Sequence, residues 1–457
     1  MTLKNNSASK DKLLFSPLLI GLYYFLVFGL GIFLDLSLMK TFSIFLLPIL
    51  TLWVMLDFSK NLVLLFTSTY WYIYYFKNGY DSIVISSYTM FVPIAILCLI
   101  MNHFMKKDRV ESQDNNTLFY LWIAFSVLIS TILARRPHSS MYSLFIVTQF
   151  FFFYYWFKSE ITDIQYLKKL YTVFLSASFL PILVGLTEVF SNNSIDRVSA
   201  FAANPNEFAA FIAFFIFMII PIIFLVKKRY QFYFLLVILF ISIVVLFSTQ
   251  SRAGQLSIAG SLFVYFVIRG KGIKSKLVRI VFLILLGVLL VLAFGNIFLS
   301  RFANINNLSY SEYDRIGMWI AAWKLFKQSP IFGIGINNYY YYYPVLHPFF
   351  DLLKMNQLAI AHNLFLNTLA EMGMIGIVAL SFIYLIISKR IFSLYKNANR
   401  VVLEIAKAST GFFVYFFIHN TLDCPWNAFA HEVPKFQFML FILFIFHVPD
   451  IIEKKNA

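Results

Sequence analysis

Charge is what this chain has least of. Only 13% of its 457 residues are Asp, Glu, Lys or Arg, against 60% hydrophobic and 20% aromatic, with a mean hydropathy of +0.78. A soluble domain of this length could not keep such a surface in water, which excludes the soluble globular classes. Cysteine is nearly absent as well. Cys98 and Cys424 are far apart and lack metal-ligand spacing, so neither a disulfide framework nor a metal site is expected. No phosphate-cradling glycine loop and no zinc-protease helix is present, and the missing nucleotide signature argues against an ATP-driven pump. Acids are the scarcer sign, 21 against 37 Lys and Arg, for a net charge of +16. Membrane topology accounts for that excess, and no nucleic-acid partner is needed.

Long apolar runs are what the chain has in abundance. Segments 208–226, 232–250 and 280–299 carry no formal charge, and each is long enough as a helix to cross a hydrocarbon core of about 30 Å. Hydropathy predicts spans near 15–34, 41–58, 61–76, 82–104, 118–133, 141–157, 170–190, 207–226, 232–250, 255–269, 280–299, 361–388, 408–422 and 434–452. Those at 61–76, 255–269 and 408–422 are short enough to be tilted, re-entrant or interfacial. The expected fold is an all-α polytopic membrane protein with about 12–14 transmembrane helices and one long external loop containing an amphipathic helix. Lys4, Lys10 and Lys12 before the first apolar run resemble a signal peptide, but no small-residue cleavage site follows Leu34, and the first helix reads as uncleaved. With both termini cytoplasmic, about two thirds of the Lys and Arg fall inside, most clearly at Lys227 to Arg229, Arg269 to Arg279 and Lys389 to Lys407. The hydrophilic stretch Ser300 to Ile360 is then external.

That stretch concentrates polar chemistry. Ser309 and Glu312 have capping-box spacing, and RIGMWIAAWKLF puts Arg315, Trp319 and Ala322 on one helix face before Pro330 ends the run. Trp319 and Trp323 equally suit interfacial anchoring, and Arg315 beside Glu312 and Asp314 equally suits a surface salt bridge. Gly333 and Gly335 allow close backbone approach to a ligand. Of the five tyrosines Tyr339 to Tyr343, most suit the interfacial belt, and one or two could stack on sugar rings. His362 begins the next span, where an imidazole, titrating ordinarily near about 6.5, could take a proton from a hydroxyl; a lone His at a helix start is also commonly a cap. Asn363 and Glu371 follow on that helix, and Gly373 and Gly376 leave small packing surfaces.

Two more arginines fall at external span ends. Arg252, in STQSRAGQ, has no acidic neighbour in sequence, and Arg197 precedes FAANPNEF. An ionisable group at membrane depth is costly without a partner, which makes Arg252 a functional candidate. Arg197, Arg252 and Arg315 on one face suggest a polyanion, and a diphosphate suits guanidinium forks best.

The order of these residues carries a family resemblance. Ser251-Arg252, then RxxMW at Arg315 to Trp319, SPIFGIGINNY, AHNxFL at Ala361 to Leu366 and ExGxxG at Glu371 to Gly376 resemble the O-antigen ligase and Wzy-type O-antigen (capsular polysaccharide) polymerase family, as do Arg197 and the NPN of Asn204 to Asn206. The resemblance covers residues 190 to 390. It implies three parts: N-terminal transmembrane helices over 1–190, the ligase/polymerase-like core with the external loop 300–360 over 191–390, and C-terminal helices over 391–457. It also implies a metal-independent glycosyltransferase of the bacterial cytoplasmic membrane, working without a cofactor at the external face. Such an enzyme takes a glycan from an undecaprenyl-diphosphate-linked oligosaccharide to a glycan or lipid-linked acceptor, with inversion by direct displacement, and it could work beside a flippase and a chain-length regulator. His362 would be general base, and Arg252 and Arg315 would neutralise the departing diphosphate. Arg197, Asn206, Trp319, Asn338, Tyr339, Asn363 and Glu371 would bind substrate.

Polymerisation of repeat units is the favoured activity, since the spans outnumber what a minimal ligase needs. Ligation to a lipid core or other anchored acceptor is the alternative. A flippase of the same lipid-linked glycan should show repeated halves, and none is evident. A shape-and-division type of peptidoglycan polymerase would want a catalytic Asp in the large loop, for which Asp314 and Asp351 are available.

Overall fold

The computed structural model describes residues 73–78, 81–86, 117–161, 163–191, 197–200, 202, 204–269, 310–348, 360–423 and 432–456. The spans expected at 15–34, 41–58 and 280–299 lie outside these residues, as do Ser309, Asp351 and both cysteines. Two compact units are distinguished, 1–107 with 159–178, and 108–158 with 179–457.

In the first unit, β1 (Ile73–Asn78) and β2 (Asp81–Ser86) form an antiparallel hairpin whose register closes with Asn78 opposite Asp81. It occupies the end of the span expected at 61–76 and the start of that at 82–104, a departure from an otherwise all-α architecture. The reason is local. Six-residue runs rich in Tyr, Ile, Phe and Val are separated in sequence by two residues, Gly79 and Tyr80, and a Gly in first place suits a two-residue hairpin connection better than a continuing helix.

The remaining elements are helices: α1 (Thr117–Ile132), α2 (Pro137–Glu160), α3 (Ile164–Ser191), α4 (Pro205–Leu225), α5 (Arg229–Ser248), α6 (Arg252–Arg269), α7 (Tyr310–Gln328), α8 (Tyr339–Leu346), α9 (Leu364–Leu394), α10 (Arg400–Leu422), α11 (Glu432–Phe446) and α12 (Val448–Asn456). Five of them, α3, α4, α5, α9 and α10, are long and apolar enough to cross a membrane. The chain is a polytopic membrane protein.

In the second unit α4 is the axis. Every residue from Phe208 to Ile220 is buried, and α4 packs against α5, α6, α10 and α11. Close packing with α6 and α10 depends on small residues. A Cβ on Gly254 would lie 2.8 Å from Ala209 Cβ, and one on Gly411 2.3 Å from the Phe217 ring. Helix α10 runs eight residues further back than hydropathy predicts, because the charges there are paired. Glu404 holds Arg269 of α6 in a salt bridge and Lys407 at 3.0 Å, while Arg269 covers the Phe224 ring at 3.2 Å. The span expected at 434–452 is broken at His447, where Pro449 in the next turn has no N–H to continue a ladder.

The amphipathic helix expected within 300–360 is α7. It buries Met318, Ala321, Ala322 and Leu325 against Ile334, Tyr339, Tyr343, Ala361 and Ala370, and exposes Tyr313, Ile316, Ile320 and Trp323. Beside it, the loop 329–338 runs through a break in α9. Gly373 is left-handed (φ 62°), which frees the amides of Met374 and Ile375 to donate to the carbonyls of Pro330 (2.9 Å) and Ile331 (3.3 Å). Gly335 and Ile334 return amides to the carbonyls of Glu371 and Ala370. A Cβ on Gly333 would stand 2.2 Å from the Glu371 carbonyl carbon, so both glycine motifs are needed for backbone-to-backbone contact.

Candidate active site

At one end of this helix bundle α10 stops at Leu422. Asp423 follows in extended conformation, its amide donating to the His419 carbonyl at 2.7 Å. The side chain is only 4% exposed, and both oxygens are engaged. Oδ1 lies 2.7 Å from His362 Nδ1. Oδ2 accepts from Asn206 Nδ2 at 2.5 Å and from the Arg315 guanidinium at 3.3 Å. Arg315 also donates to the Leu422 carbonyl at 3.0 Å. Burial alone would raise the Asp423 carboxyl, but His362 and Arg315, with a smaller pull from His419, hold it well below the usual carboxylate range.

Each partner arrives on a cap or a turn. His362 sits in left-handed backbone (φ 47°) directly before Asn363, the N-cap of α9. Asn363 Oδ1 accepts from the Leu366 amide at 3.0 Å, and its Nδ2 donates to the Thr421 carbonyl at 2.9 Å, tying α9 to the end of α10. Asn206 opens α4 behind the N-cap Asn204, whose side chain takes the Asn206 and Glu207 amides. Arg197 donates to Asn206 Oδ1 (2.9 Å) and to the Thr249 carbonyl (3.1 Å). Arg252 begins α6 directly after that same turn, and Ser251 Oγ accepts the Gly254 amide there. Arg315 is aimed from the first turns of α7, where buried His347 lies 3.0 Å from the Asp314 carbonyl and 3.3 Å from its carboxylate. Gly317 leaves room for that ring, since a Cβ there would be 2.2 Å from it. Burial pushes the Asp314 carboxyl up, against the pull of His347 and His362. One turn beyond Arg315, half-buried Trp319 has its indole N–H without an acceptor among the described residues.

Asn206, Arg315, His362 and the end of α10 therefore meet around one ionised carboxylate, Arg197 and the turn at Thr249 join them through Asn206, and apart from Asp423 these residues follow the order already read from the sequence. Residues 237–381 match the family model described as O-antigen ligase. That segment, about a third of the chain, is similar to the O-antigen ligase family. The match supports membrane glycan transfer of the ligase/polymerase type. The match takes in Arg252, Arg315, Trp319, Asn338, Tyr339, His362, Asn363 and Glu371, and leaves Arg197, Asn206 and Asp423 outside. No curated protein matches the chain.

Three of the expected substrate-binding residues lie in a second group. Glu371 is buried and accepts from the Tyr339 amide and from Asn367 Nδ2, both at 3.0 Å. Asn338 is fully buried, taking the Arg136 amide (2.8 Å) and donating to Ser140 Oγ (2.8 Å). Tyr339 donates to the Met318 carbonyl at 2.7 Å and stacks on Tyr343. Their polar atoms meet protein. The group reaches the first through the Met318 carbonyl of α7 and through Asn367, whose Oδ1 accepts the Ala361 amide at 3.2 Å, next to His362.

Asp423 itself does not figure among the residues singled out from sequence. Its one signal there is an acid at the very end of an apolar span, where an unpaired carboxylate would be costly. Chemically the arrangement is an oriented base beside a cationic face. An ionised carboxylate only accepts, so the Nδ1 facing it carries a proton, and Nε2 of a neutral ring keeps its lone pair. The ring is 29% exposed and Arg315 35%, so both can meet a substrate.

Proposed function

We propose that this protein transfers a glycan from undecaprenyl diphosphate to an acceptor sugar hydroxyl at the external face of the bacterial cytoplasmic membrane, and that it polymerises polysaccharide repeat units. The Asp423–His362–Arg315 group is the observation that supports this reading. His362 Nε2 removes the acceptor proton, and Asp423 stabilises the resulting imidazolium. The acceptor oxygen attacks the anomeric carbon as the bond to the diphosphate oxygen breaks, and its electron pair leaves with the diphosphate. Arg315, with two of its five N–H groups engaged by Leu422 and Asp423, offers the rest to the phosphates together with Arg252 and Arg197.

Purified protein in liposomes holding lipid-linked repeat units should release undecaprenyl diphosphate and build a ladder of chain lengths. His362→Ala should abolish both while leaving the melting temperature near that of the parent. Full turnover in that variant would overturn the general-base role. A single transfer to a lipid-anchored acceptor, in place of the ladder, would assign the ligase reaction instead.

A further inference from the structure

The turn between α1 and α2 plays no part in that chemistry, yet it is built with the same care. Arg135 and Arg136 are both exposed. Their backbone is fixed, the Arg135 amide to the Ile334 carbonyl at 3.0 Å and the Arg136 amide to Asn338 Oδ1. Their side chains are laid on rings. Arg136 lies 4.2 Å over Tyr341, and Arg135 lies 5.3 Å over Tyr342 while donating to Gln328 Oε1 at 2.9 Å. Ser139 Oγ donates to the Tyr341 hydroxyl at 2.9 Å, and the Tyr340 and Tyr341 rings are 3.9 Å apart. Neither guanidinium forms an ion pair among the described residues. Gln328 joins this turn to the end of α7, where Lys324 and Lys327 are also exposed.

A guanidinium already held flat on a ring loses little freedom on binding and points its N–H edges outward, the geometry that receives a carboxylate or phosphate in two-pronged fashion. Half-buried tyrosine rings and hydroxyls between such cations suit the C–H faces and hydroxyls of sugars. We infer that Arg135, Arg136 and Tyr340 to Tyr342 form a binding strip for an anionic segment of the glycan, one bearing carboxylate or phosphate groups, outside the Asp423–His362 group. This inference rests on the glycan-transfer reading. The strip is also joined to the candidate site through protein. Asn338, which holds Arg136, adjoins Tyr339, whose amide binds Glu371; Glu371 is bonded to Asn367, which holds Ala361 beside His362. Phosphate headgroups of the bilayer offer the same anionic oxygens, but they do not use the hydroxyls and ring faces that interleave with the cations.

The test is direct binding, which needs no turnover and so stands apart from any failure of the transfer assay. Protein in phosphatidylcholine nanodiscs is titrated with polygalacturonate oligomers and with neutral dextran oligomers of equal length. Polygalacturonate should bind and dextran should bind at least about tenfold more weakly; Arg135→Gln with Arg136→Gln should weaken polygalacturonate about tenfold, the scale of two exposed charge contacts. Arg136→Lys, which keeps the charge and loses the planar stack, should fall between, a result that misfolding of the double variant would not give. Equal binding of dextran, or unchanged binding in the glutamine variant, would overturn the inference. Abolition of polygalacturonate binding by phosphatidylglycerol in the disc would also overturn it and give the strip to the lipid surface.

Discussion

Glu371 and Asp423 are both buried carboxylates tied to the start of α9, and they are held by opposite kinds of partner. Glu371 is surrounded by neutral donors, the amides of Asn337, Asn338 and Tyr339 and the side-chain amide of Asn367. Asp423 is held by an imidazole, a guanidinium and one amide. Both arrangements meet the requirement that a buried charge be hydrogen-bonded. They differ in what can be exchanged. Backbone amides are fixed donors that hand nothing on, so Glu371 fastens the 329–338 loop to α9. The partners of Asp423 reach solvent at their far ends, where a proton or a phosphate can be met. Burial of an acid marks neither role; the chemistry of its partners does.

Replacing Asp423 by Asn should separate the two carboxylates most sharply. The ring of His362 would lose the acceptor that fixes its tautomer, and transfer should fall by roughly 10³- to 10⁴-fold, measured as undecaprenyl diphosphate released per folded molecule. A loss below tenfold would place Asp423 with Glu371 as a fastening group. Next in size is Arg315→Lys, which substitutes a point charge for a fork that holds Asp423 and Leu422 and, in the proposed reaction, the phosphates; a drop of about 10²-fold is expected, on the scale of losing one donor to a developing charge, and unchanged kinetics would reduce Arg315 to a surface ion pair. Glu371→Gln should act through stability, leaving one amide donor without its acceptor at about 1–3 kcal/mol. The readout is a lowered melting temperature, with turnover per folded molecule falling far less than in Asp423→Asn; the reverse pattern would erase the distinction. The smallest effect is acid dependence. Asp423 is held below its ordinary value of 3.8, so the unfolded chain binds the extra proton near pH 4. The stability it supplies is whole above that range and is lost as pH falls. Melting temperature should therefore drop more steeply between pH 6 and 3 in the parent than in Asp423→Asn, and parallel curves would refute the coupling.

Hydropathy alone located α1 to α6, α9 and α10 to within a few residues at most ends, because long uncharged runs leave little choice in a bilayer; α7 is legible from its capping-box spacing instead, and α8 was not foreseen as a helix. Hydropathy failed where charge was paired. The first two turns of α10 carry Arg400, Glu404 and Lys407, which hydropathy rejects; there Glu404 is shared by Arg269 of α6 and Lys407, while exposed Arg400 donates to the Phe224 carbonyl. The candidate site was legible in part for a similar reason. His362, Arg315, Asn206, Arg197 and Asn363 stand out as polar groups at span ends, and they converge. Asp423 does not stand out, because its partners lie 61, 108 and 217 residues away and no short motif encodes that meeting. Asn338, Tyr339 and Glu371 read equally well as ligand-binding or as fastening residues until their partners are seen.

The left-handed break at Gly373 has a consequence for motion. Its freed amides are given to the 329–338 loop, and that loop returns its own to the carbonyls of Ala370 and Glu371. Loop and helix thus share one ladder, so displacing one without the other would break backbone hydrogen bonds on both. In the proposed reaction, an opening along a different seam would leave that ladder intact.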